Sequence, residues 1–157
     1  MTIQQMLLAT SSGGETVTLA NAGNVNNNPQ QKEITISNFI SAGGTLIIPS
    51  GLYVWSDNTS NPALTVDISC TIINQGIIMG RGGDGGTQGG TNPNTDGGNG
   101  GSAIKINSGV TGVTITNESG AFIYGGGGGG GAGWGGATES GGAGGGAGGG
   151  LGGRGSF

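Results

Sequence analysis

Two tracts of this 157-residue chain are so rich in glycine that few ordinary folds can use them: Gly80–Gly101 and Gly125–Gly155 hold 32 of its 42 glycines. Glycine loses more conformational freedom on ordering than any other residue, so such a tract is either a flexible linker or an architecture that tolerates no side chain. The second alternative has a specific form. A polyproline-II helix has three residues per turn, rises about 3.1 Å per residue and makes no internal hydrogen bonds, so its amides are free to bond to neighbouring helices. Close packing of such helices removes side chains along buried edges, and a buried edge is written as glycine at every third position. Gly80, Gly83, Gly86 and Gly89 form one such row, Gly82 and Gly85 a second, and Arg81 and Asp84 occupy the remaining edge. Gly97 with Gly100, Gly98 with Gly101, and Gly146, Gly149, Gly152 and Gly155 repeat the pattern, and Gly125–Gly131 suits the centre of a bundle.

The rest of the chain must supply whatever side-chain core exists. Only 8% of residues are charged and 4% aromatic, too little for a large conventional core, so backbone pairing has to carry much of the second half. From Glu33 onward short apolar segments recur: Glu33–Ile36, Thr45–Ile48, Leu52–Trp55, Ala63–Ile68, Thr71–Ile73 and Ile77–Met79. They are rich in Ile and Val and separated by Gly, Pro and Asn turns, as in a β-solenoid or a small stacked sheet. No stretch has a 3.6-residue apolar period with caps, so the expected fold is all-β with minimal helix.

Part of this pattern is duplicated. Ala63–Asp67 corresponds to Ala103–Asn107, Thr71–Asn74 to Thr114–Asn117, and Ile77–Gly80 to Phe122–Gly125. The copies lie about 40 residues apart, and each runs directly into a glycine tract. Stacked copies would bury Ile72, Ile77, Ile115 and Ile123 against one another. Three portions follow: an N-terminal docking segment (1–31) whose polar run Asn21–Gln31 reads as a loop, a short-stranded β portion (32–79), and a glycine-rich portion (80–157) with an interposed β repeat (103–124).

Several function classes are excluded or unsupported. A net charge of −4 with four basic residues cannot form a phosphate-tracking surface. There is no 18-residue apolar run, and Met1–Ala9 lacks the basic start of a signal peptide. Cys70 stands alone among apolar neighbours, which suggests a buried thiol. With no His and one Cys the chain offers neither a Ser-His-Asp triad nor a thiolate zinc site, and its carboxylates form no recognisable catalytic pair. Gly80, Gly82 and Gly85 satisfy a dinucleotide fingerprint only because glycine is everywhere, and Asp84 and Asp96 sit in no calcium-binding pattern. The expectation is a protein without enzymatic activity, metal or cofactor.

If the glycine rows form a scaffold, binding falls to the segments that interrupt them. Thr91, Asn92, Asn94, Thr95 and Asp96 supply donors and acceptors, Trp134 a flat apolar face for a sugar ring or aromatic side chain, and Thr138 and Glu139 lie close by. A rigid base lowers the ordering cost of such loops.

The Ile-x-Asn-x-Gly-x-Ile-x-Gly pattern leading into Gly80–Gly86 and Gly125–Gly131 resembles glycine-rich proteins of tailed bacteriophages. In particular it resembles receptor-binding tips of tail fibres, including the adhesins that cap the long fibres of T-even-like phages. The opening Thr2–Leu8 also looks like the start of many small phage virion proteins. The resemblance covers roughly residues 63–155. It implies a protein of the virion tail, made in the bacterial cytoplasm, in which an N-terminal part joins the fibre and a polyglycine-II sandwich displays loops to a host protein or glycan. It implies a homotrimer, or a monomer capping a trimer. The first half departs from it, reading as short-stranded β structure instead of a separate attachment domain. Other readings are a capsid decoration or cement protein, for which the glycine portion is only a resistant plate, and an ice-binding protein, for which the Thr and Ala positions are too irregular.

Overall fold

The computed structural model describes residues 14–25, 28–86 and 96–131. Among the described residues twelve short strands follow one another: β1 (Thr16–Thr18), β2 (Gly23–Val25), β3 (Asn28–Lys32), β4 (Ile34–Thr35), β5 (Thr45–Ile48), β6 (Tyr53–Trp55), β7 (Leu64–Val66), β8 (Cys70–Asn74), β9 (Ile77–Met79), β10 (Ile104–Ile106), β11 (Val113–Asn117) and β12 (Phe122–Tyr124). The class is all-β, and the helix among the described residues is one 3₁₀ turn at Ile36–Asn38.

The strands fall into three sheets. Sheet I has the order β1-β5-β8-β11, sheet II β12-β9-β6-β3-β2, and sheet III β10-β7-β4. Every pairing is parallel except β2 with β3, and the chain visits sheets I, II and III in turn, so each circuit lays one strand on the strand of the circuit before. Parallel stacking aligns like residues in columns. Leu46, Ile72 and Ile115 form one inward column of sheet I, and Val54, Ile78 and Ile123 one of sheet II. Leu46, Ile72, Val54 and Ile78, with Ile48, Leu64 and Val66, are all 0% exposed and fill the centre of the coil. Asn74 is buried too, and its amide bridges circuits by donating to Asn117 Oδ1 at 2.7 Å and Phe122 O at 3.2 Å.

The corners repeat one turn chemistry. Leu52 N–H donates to Pro49 O, and Ala121 N–H to Glu118 O, with Gly51 (φ 79°) and Gly120 (φ 83°) third in each four-residue turn, a place that demands positive φ.

The duplicated segments are neighbours in register: Leu64 lies opposite Ile104, Ile72 opposite Ile115, and Ile78 opposite Ile123. The expected burial needs correction for two of four residues. Ile72 is buried and Ile115 packs on it, whereas Ile77 lies on the outer face of β9, and Ile123, on β12, is 38% exposed because no strand among the described residues lies beyond it. The expected loop at Asn21–Gln31 is also corrected. β2 and β3 form there, because β6 offers a parallel partner edge and Asn21 Oδ1 accepts from the N–H groups of Gly23 (3.0 Å) and Gln30 (2.9 Å). Polar composition did not prevent a strand whose backbone is paired.

Sheet I also holds a regularity that the sequence conceals. Thr16, Thr45, Thr71 and Thr114 share one outward column, although the spacings between them differ widely along the chain. Unequal loops hide what the register aligns.

Candidate functional site

In the first two circuits the passage from sheet II to sheet III is a short corner. In the third, the chain leaves β9 and returns to β10 by way of residues 80–103, and the last circuit leaves β12 at the same corner. Three glycine segments thereby lie together: 80–86 and 125–131 run away from the sheets side by side, and 96–101 runs back against both.

Their hydrogen bonds recur at every third residue and form a closed cycle. Gly80, Gly83 and Gly86 donate to the carbonyls of Tyr124, Gly127 and Gly130 at 2.8–2.9 Å. Gly126 and Gly129 donate to Gly101 and Gly98 at 2.8 Å, and Gly98 and Gly101 donate to Asp84 and Arg81 at 2.7 Å. The first segment continues the β9–β12 ladder directly, since Met79 lies opposite Tyr124 and the next bond runs from Gly80 to Tyr124.

This packing explains the glycines. A Cβ at Gly83 would overlap Gly98 O, at Gly97 it would overlap Gly129 O, at Gly100 Gly126 O, at Gly126 Arg81 O, and at Gly129 Asp84 O. Gly125 and Gly131 have open space at the same point, and Gly128 has its nearest atom 3.8 Å away. None of these residues has positive φ, so glycine serves here for close approach alone. Side chains survive on outer edges. Arg81 and Asp84, three residues apart, are joined by an ion pair of 2.7 Å. Asp96, Asn99 and Ser102, again three apart, are all exposed.

The base of the bundle rests on the corner of the second circuit, where a Cβ at Gly101 would come within 2.9 Å of Thr59 Cα. That corner is fixed by polar contacts. Ser56 Oγ donates to Glu33 Oε1 (2.8 Å) and accepts from Asn58 N–H (3.0 Å), and Asn61 Nδ2 donates to Glu33 Oε2 (3.2 Å). Beside it Lys32 Nζ meets Asp57 Oδ2 at 2.5 Å and lies 6.0 Å from the centre of the Trp55 ring. The hydrogen bond between them holds the Lys32 ammonium above its ordinary pKa and the Asp57 carboxyl below its own. Cys70 is a buried thiol, pushed up by burial and secondarily by the charge of Asp67. It lines the coil and is no candidate nucleophile.

Of the candidate binding residues, Asp96 lies among the described residues, exposed at the start of the returning segment. Thr91, Asn92, Asn94, Thr95, Trp134, Thr138 and Glu139 lie outside them, as does the row Gly146 to Gly155. The residues that border them, Gly86, Asp96 and Gly131, all stand at the end of the bundle remote from the sheets. Sequence reasoning missed Asn99 and the Lys32–Asp57 corner. A three-residue step from Asp96 would have placed Asn99 on the same edge, but nothing in the sequence joins Lys32 to Asp57. No group of acidic, His or Cys side chains that could hold a metal ion occurs among the described residues.

A family model described as phage tail fibre adhesin Gp38 matches residues 14–157. No curated protein and no solved structure gives a match. The family match begins just before β1 and spans both the coiled sheets and the glycine segments. The chain thus belongs to the phage tail fibre adhesins, receptor-binding proteins of the virion tail.

Proposed function

We propose that the three-sheet coil is a β-solenoid serving as a rigid mount, and that the glycine segments are a polyglycine-II bundle presenting a binding tip to the host surface. The observation that carries this reading is the cyclic, three-residue repeat of hydrogen bonds among 80–86, 96–101 and 125–131. It supplies a stiff support without side chains, and chain segments borne on a stiff support lose less entropy when they bind.

In this reading Asp96 belongs to the tip with Thr91, Asn92, Asn94, Thr95, Trp134, Thr138 and Glu139. The polar residues offer hydrogen bonds and Trp134 an apolar face, a combination suited to a host protein or glycan. The tip acts by binding, with no catalytic step. Residues 1–31 join the protein to other tail components. Their described part is already held in the coil through β1 and β3, which makes the preceding residues the natural contact. The protein serves as a homotrimer or as a monomer on a trimeric fibre end.

The test is to exchange residues 91–96 and 134–140 for those of a related phage with a different host and to measure adsorption. Host range should follow the exchanged segments. Unchanged host range on intact virions would remove the tip from receptor recognition.

A further inference from the structure

The sequence contains one Asn-Gly pair, Asn99-Gly100, and it lies within the returning glycine segment. Among the described residues four features distinguish this asparagine. Its side chain is exposed and makes no hydrogen bond; Asn38 shares this, but the amide that follows it, Phe39 N–H, donates to Ile36 O, while Asn74 and Asn117 are tied to each other and to backbone carbonyls, Asn58 holds Ser60 N–H, and Asn61 is bound to Glu33. The following residue has no Cβ to obstruct its amide nitrogen. That nitrogen is unengaged, because in this segment Gly98 and Gly101 donate and the residues between them do not. Water reaches the exposed edge on which Asn99 sits between Asp96 and Ser102.

We infer that Asn99 is a site of spontaneous deamidation and backbone isomerisation. The nitrogen of Gly100 attacks the side-chain carbonyl carbon of Asn99, a C–N bond forms, and ammonia leaves with the proton from the Gly100 amide. The resulting succinimide takes up one water molecule. Opening at one carbonyl gives aspartate, and opening at the other gives isoaspartate, whose main chain runs through the former side-chain methylene. The net change is loss of ammonia and gain of water.

The consequence follows from the spacing. Gly98 and Gly101 reach Asp84 O and Arg81 O only because three residues make one turn. An isoaspartate between these two donors lengthens the main chain by one carbon, so both bonds cannot be kept in register. Asp84, by contrast, precedes Gly85 in a similar dipeptide, but its carboxylate is held by Arg81.

This inference does not rest on the adhesin reading, and its test needs no receptor. The full-length protein is held folded at mildly alkaline pH, with a second sample in denaturant. Both are digested and followed by peptide mass spectrometry and by labelling with an isoaspartate-specific methyltransferase. The folded sample should convert at Asn99 ahead of every other described asparagine, releasing ammonia, and Asn99→Gln should abolish the label in that peptide. Retention of the Asn99 amide in the folded sample while the denatured one converts would overturn the proposal. The isolated isoaspartate form should show faster hydrogen exchange at Gly98 and Gly101 than Asn99→Asp, which adds charge without lengthening the chain. Equal exchange in the two would overturn the account of register loss.

Discussion

The coil and the glycine bundle are held together by opposite means. In the coil, strands are spaced by side chains, and stability comes from filling the centre with Leu, Ile and Val in columns. In the bundle, segments are spaced by the absence of side chains, and bonding of backbone to backbone replaces burial. Removing atoms should therefore damage the first, and adding atoms the second. The contrast extends to glycine itself. Gly51 and Gly120 in the coil provide positive φ at turns, while Gly83 and Gly129 in the bundle provide space.

The largest effect expected is on the coil. Ile72→Ala, between Leu46 and Ile115, leaves a cavity in a 0%-exposed column and should cost about 2–5 kcal/mol in denaturant unfolding. A loss below this range would mean that the columns are not the main support. Next comes Gly129→Ala, whose methyl group overlaps Asp84 O; overpacking of this kind costs about 1–3 kcal/mol. Hydrogen exchange at Gly98 and Gly101 should accelerate, while Gly128→Ala on the open edge should change little. Similar behaviour of the two variants would break the assignment of inner and outer edges.

The smallest effect separates the regions by pH. Burial keeps the Cys70 thiol protonated in the folded protein at pH values where the unfolded chain has ionised it. The unfolded state then binds fewer protons, so stability is undiminished below the ordinary thiol pKa of about 8.5 and declines as pH rises above it. Denaturant titrations at neutral and alkaline pH should show this slope in the wild type and lose it in Cys70→Ala. Exchange at the bundle amides, compared at equal intrinsic rates, should not follow it.

Much of the coil was legible in the residues. The matches of Thr71–Asn74 with Thr114–Asn117 and of Ile77–Gly80 with Phe122–Gly125 are the pairings of β8 with β11 and of β9 with β12. Stacked circuits need like side chains in columns, so pairing leaves a trace in sequence. Where a strand is held by its backbone and by polar side chains the trace is missing, and the Asn-Pro-Gln-Gln part of β3 reads as a loop although Gln31 donates to Ala20 O and Lys32 pairs with Asp57. Facing was lost as well: Ile77 and Ile123 are alike in composition but lie on opposite faces of sheet II, and only the parity of the register separates them. For the candidate site, the spacing of Gly80 and Gly83 marked one crowded edge, and of the expected binding residues only Asp96 lies among the described residues. Which row faces which was not legible, since glycine carries no chemistry to distinguish one edge from another.

The sequence by itself determined the class of the fold and the repeat that stacks, because each is imposed by local periodicity; glycine spacing marked Gly80 and Gly83, where a Cβ would strike backbone, but did not separate them from Gly125 and Gly131, which have open space. Only the tertiary structure decided that segments 45 residues apart run parallel while 96–101 runs against both, and that the threonines of four circuits stand in one column. Those outcomes depend on loop lengths and on which free amide meets which free carbonyl, and a backbone amide is chemically the same at every position of the chain.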